Sequence, residues 1–159
     1  MQPQLRTIVE SIEPPQTREF IAGVFSDLHR LIGYLDSARA IVRTGGASEE
    51  AHFIFEAVRC EALAAASGLD YFCACLGEPT GLSEELERVS FALRHELRVA
   101  FERMLPGARA AMDASEARSR LADAHDLLRN CFEQSTVSLA RAFRADVDAA
   151  DIFEDIRAN

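Results

Sequence analysis

Lysine is missing from this chain altogether, so all seventeen of its basic side chains are arginine. That absence excludes a Schiff-base lysine, a Walker-type phosphate lysine and a kinase-type lysine together. Proline and glycine are scarce, five and eight in 159 residues, and most gather at Pro14-Pro15, Gly45-Gly46, Gly77 to Gly81 and Pro106-Gly107. Strand signals are almost absent, and no internal repeat or low-complexity segment stands out. A long uncharged apolar run is wanting too. The most apolar stretch, Phe53 to Leu76, is interrupted by Arg59, Glu61 and Asp70. Each would cost roughly 2.5–3.5 kcal/mol near a bilayer centre, which excludes a membrane span there. The opening residues MQPQLRTIVES hold no apolar h-region, and no signal peptide is expected.

Cysteine is sparse and badly spaced for chemistry. Of the four, Cys73 and Cys75 stand two apart, roughly 200° around a helix, and can neither grip one ion nor bridge each other. With Cys60 and Cys131 they form no zinc pattern and no disulfide framework, so reduced, buried thiols of a cytoplasmic protein are expected. Positive charge is also in short supply. A net charge of −9 and a pI near 4.9 argue against nucleic acid and anionic membrane surfaces as partners. The acidity is uneven, with six acids against one Arg over residues 47–82 and five against one over residues 146–159.

What is present is helical rhythm. From Ser115 to Phe143 the apolar and small positions Leu121, Ala124, Leu128, Cys131/Phe132, Ser135, Leu139 and Ala142/Phe143 step by three and four, one stripe along a helix. Phe20 to Val42 and Leu86 to Met104 repeat the rhythm. Ser48 is placed to cap a second helix and Ser83 a third. Asp113 and Glu116 offer a capping box for the fourth, while Pro106-Gly107 should end or kink the third. Short connections between long helices predict an all-α, antiparallel up-down-up-down four-helix bundle, with short extra helices at both termini. The chain reads as a single helical-bundle domain over residues 1–159, with an N-terminal segment over 1–13 and an acidic C-terminal segment over 146–159.

Each long helix holds one histidine: His29, His52, His95 and His125. Counting along the helices brings His29, His95 and His125 to similar height, an arrangement a metal would need, yet the Glu-x-x-His pattern of di-metal bundles occurs once, at His52. The run Asp27 to Gly33 resembles the histidine-phosphotransfer pattern around His29, with Ile32 where that family carries a basic residue. Arg94 to Arg98 is similar to the H-box of sensor kinases around His95, with Val99-Ala100 where that box continues with Thr-Pro. Arg120 and His125 have the Arg-x4-His spacing of helical HEPN-type ribonucleases, with Leu121 where a polar residue is usual. The first two resemblances imply a phosphotransfer bundle using His29 or His95, and a metal- or small-ligand-binding bundle is a further alternative.

The leading expectation is different. The helix from Phe53 to Leu76 is apolar over most of its circumference, more than one bundle core should need. Phe53, Phe55, Val58, Leu69, Tyr71, Phe72 and Leu76 are therefore expected to bind a partner, most simply a second copy of the chain, though another protein would fit the same surface. The sequence thus reads as a non-enzymatic, homodimeric interaction or regulatory module with no metal, cofactor, nucleic acid or membrane partner.

Overall fold

Among the described members of the glycine and proline clusters, Pro15 and Gly81 stand at helix starts, Gly45 just after a helix end and Pro106 near a change of helix type. A computed structural model of the chain describes residues 15–45, 48–76 and 81–142. Among these residues it is all-helical, with four long helices and no strand. They are α1 (Pro15–Arg43), α2 (Ser48–Leu76), α3 (Gly81–Val99) and, after the short α4 (Leu105–Ala110), α5 (Ala114–Ala142). The expected terminal helices at 1–13 and 146–159 lie outside the described residues, and no described helix is long and apolar enough to cross a membrane.

Local chemistry sets the helix ends. Gly45 closes α1 at φ +76°, a conformation open to glycine because it lacks Cβ; the Thr44 and Gly45 amides donate to the carbonyls of Ala40 and Val42. At the start of α5, Asp113 Oδ1 accepts the Glu116 amide at 2.7 Å. The Glu116 carboxylate is held by Arg120. Only the aspartate half of the expected box is therefore seen as a hydrogen bond.

Pro106 does not end α3. Ala100–Met104 widens into a π-helical turn, the Leu105 amide bonds to the Ala100 carbonyl, and Pro106 then sits at the start of α4, where an amide is not required. The chain stays helical to Ala110.

Packing follows the apolar stripes. α1 packs on α2 and α5, and α3 on the same two helices. Contacts step in opposite senses along two of these pairs: Phe20 stacks on Phe72 while Arg30 pairs with Glu61, and Cys73 meets Ser83 while Arg94 pairs with Asp70. Phe25, Leu28, Leu31 and Leu35 of α1, Phe55 and Leu69 of α2, Leu86 and Leu93 of α3, and Leu128, Phe132 and Leu139 of α5 are fully buried. Each such side chain contributes about 1.5–3 kcal/mol relative to exposure. Polar groups in this core are mostly satisfied. The Ser90 hydroxyl donates to the Ala66 carbonyl and that of Thr136 to Phe132.

Candidate functional site

The α2 residues expected to meet a partner divide into two sets. Phe55, Val58, Leu69 and Phe72 lie in the chain's own core. The expectation of a surplus was too generous here, because α1 and α3 cover both flanks of α2 and absorb a wide arc of its circumference. Phe53 and Tyr71 stay outside, 76% and 74% exposed. Nothing is described of the Leu76 side chain.

Phe53 and Tyr71 are eighteen residues apart, five helical turns, and thus share one face about 27 Å apart. Between and beyond them the outward positions are Ala57, Cys60, Ala64, Ser67 and Ala74, in steps of four and three. This is the spacing of a two-helix seam, with small side chains that allow close approach. None of these positions is itself charged, although Glu56, five turns before Ala74, borders the same face. Arg59 pairs with Glu56 and lies over the Phe101 ring, Glu61 is held by Arg30 at 2.8 Å, and Asp70 by Arg94 at 2.8 Å. Arg94 also donates to the Ser67 hydroxyl at 3.1 Å.

The histidines do not converge. His95 is exposed, stacks on Phe91, and has Nδ1 3.3 Å from Glu96. His29 is half-buried on α1. His125 is 1% exposed, Nε2 3.0 Å from Asp36 and Nδ1 2.8 Å from Asp126. Arg120 is paired to Glu116 instead, so it is not joined to His125. Among the described residues no group of three or more His, Cys, Asp or Glu side chains could hold a metal ion. Partial burial pushes the Asp36 carboxyl up, but hydrogen bonds from Arg129 and His125 outweigh it and hold it below the usual carboxylate range. Asp126 is lowered chiefly by its hydrogen bond with His125. This cluster ties α1 to α5.

All four cysteines are free; Cys60 and Cys75 are exposed and Cys131 is buried. Burial pushes the Cys131 thiol up to about 11, which leaves it protonated and unreactive at neutral pH. Asn130 and Gln134 flank it, exposed, in a shallow groove between α3 and α5.

Sequence reasoning missed one feature. A pocket of about 740 Å³ opens between the first two turns of α2 and the segment from Ala108 to Ala117, lined on one side by His52, Phe53 and Glu56 and on the other by Arg109, Met112 and Asp113. His52 is buried, 6% exposed, and its Nδ1 has no hydrogen-bond partner. Burial first, then the charge of Arg109, hold the imidazole below its ordinary value, with Glu56 working the other way. The sequence signal was His52 three residues after Glu49, but the opposite wall comes from a turn some sixty residues away, which no local pattern reveals. Comparison with protein-family models, with curated proteins and with solved structures finds no match to this chain.

Proposed function

We propose that the chain is a non-enzymatic interaction module, an up-down-up-down bundle that pairs with a second copy of itself through the outer face of α2. One observation carries the reading. The stripe from Phe53 to Tyr71 is uncharged, seam-spaced and symmetric in side-chain size about residue 62, with Phe53 answering Tyr71, Ala57 answering Ser67 and Cys60 answering Ala64. A two-fold contact between antiparallel copies about residue 62 sets each position against its mirror, so the small residues meet small residues near the axis and the two rings close each end.

Two copies of a chain of net charge −9 repel, and the stripe positions, none of them charged, add no further like-charge contact of their own. The free, exposed Cys60 and Cys75 fit a reducing compartment and support a cytoplasmic location.

Sedimentation velocity over a range of concentrations tests the pairing. The wild-type chain should shift from monomer to dimer as concentration rises, because one helical seam is a small interface. Ala64→Glu and Tyr71→Glu, both at exposed positions, should remain monomeric with unchanged helical circular dichroism. A wild-type chain that stays monomeric at the highest concentration reached overturns the reading.

A further inference from the structure

The pocket beside His52 is independent of the α2 stripe, apart from Phe53 at its lip, and the fold gives it no structural purpose. A buried polar nitrogen without a partner is destabilising, because it has given up water and gained no hydrogen bond in exchange. His52 Nδ1 is the one buried side-chain nitrogen or oxygen left without a hydrogen-bond partner among the described residues. At about 740 Å³ the pocket falls in the range of small-molecule sites.

The wall charges narrow the choice of ligand. Asp113 is occupied in capping α5, and Glu56 answers Arg59. Arg109 lines the pocket and makes no ion pair among the described residues, so its guanidinium is available. Glu49 also lines the pocket and makes no ion pair among the described residues, which disfavours a multiply charged anion such as a phosphate ester. Apart from Ser48, the remaining lining, which includes Phe53, Ala108, Ala111 and Met112, is apolar, with Met112 almost entirely exposed.

We propose that this pocket binds a small monocarboxylate with an apolar tail, its carboxylate between Arg109 and His52 and its tail against Phe53 and Met112. A guanidinium offers a carboxylate two parallel donors, and a protonated imidazole a third. In the empty pocket burial first, and then the charge of Arg109, work against protonation of His52, while Glu56 works for it; Glu49 on the same helix and Asp113 across the pocket are the other acids of the lining. A bound carboxylate adds a negative charge beside the ring and offsets Arg109. Binding therefore draws one proton from solvent onto His52 and strengthens as pH falls from about 8 to 6.

The test uses the full chain with 3-phenylpropionate and hexanoate as probes, and hexylammonium and inorganic phosphate as controls. Binding is read by calorimetry in buffers of differing ionisation enthalpy and by the side-chain nitrogen resonances of His52. Both carboxylates should bind saturably, shift the His52 resonances and take up protons, while the controls should do neither. Arg109→Gln, at an exposed position, should weaken binding about tenfold or more; His52→Phe, which keeps the volume, should abolish the proton uptake. No saturable shift of His52 with either carboxylate, or equal binding by Arg109→Gln, overturns the proposal.

Discussion

At His125 a buried ring is held between two acids on different helices, Asp36 of α1 and Asp126 of α5. Asp36 and Asp126 are held below the usual carboxylate range. A depressed carboxyl contributes stability that is present above its unfolded value and is lost as pH falls through its folded value. Melting temperatures measured from pH 7 down to 3 should therefore fall steeply below about pH 4 for the wild type. Asp36→Asn should melt lower at pH 7 and converge on the wild type in acid; parallel curves would refute this assignment. His52 acts in the same sense at higher pH. Its lowered value means the unfolded chain binds the extra proton first, so His52→Phe should lose less stability than wild type between pH 7 and 5. The sequence placed His125 on a stripe, but its partner Asp36 lies 89 residues away, and only packing makes the pair.

Between elements, closeness of approach decides what a helix tolerates. Gly33 and Gly68 both lie within helices, where alanine would ordinarily add about 0.5–1 kcal/mol. A Cβ on Gly33 meets nothing within 4 Å, whereas one on Gly68 would stand 2.9 Å from the Phe20 ring, itself stacked on Phe72. Denaturant titration should show Gly33→Ala more stable by up to about 1 kcal/mol and Gly68→Ala less stable by about 1–3 kcal/mol. The helices themselves were legible because their apolar positions repeat at 3.6 residues and their ends carry glycine, proline and aspartate. The passage through Pro106 was not. A proline signals a missing hydrogen bond, and whether the helix stops or widens into a π turn depends on what Ala100, Leu105 and Ala108 bury, which is a property of the packed bundle.

Across the whole molecule, the proposed pairing makes a geometric statement that chemistry can read. With a two-fold axis beside residue 62, the Cys60 residues of two antiparallel copies lie roughly 10–12 Å apart, while their Cys75 residues are separated by about 39 Å along the helices. A short bis-maleimide should therefore cross-link wild type and Cys75→Ser into covalent dimers, and should leave Cys60→Ser monomeric. Parallel copies would cross-link through both cysteines, so dimers formed by Cys60→Ser would exclude the antiparallel register while leaving self-association intact. Of the seven α2 residues expected to meet a partner, Phe53 and Tyr71 are exposed, Phe55, Val58, Leu69 and Phe72 turn inward, and the Leu76 side chain is not described.

The sequence by itself determined where the helices lie and which stripe of each is buried, because both follow from the 3.6-residue period and the chemistry of helix ends. Tertiary structure decided how wide each buried arc is, since that depends on how many neighbours a helix has, and α2 has α1 and α3 on its two flanks. It also decided which charges of α2 are paired from other helices and which histidine is left without a partner. Both turn on side chains brought together from distant parts of the chain, and no local period encodes them.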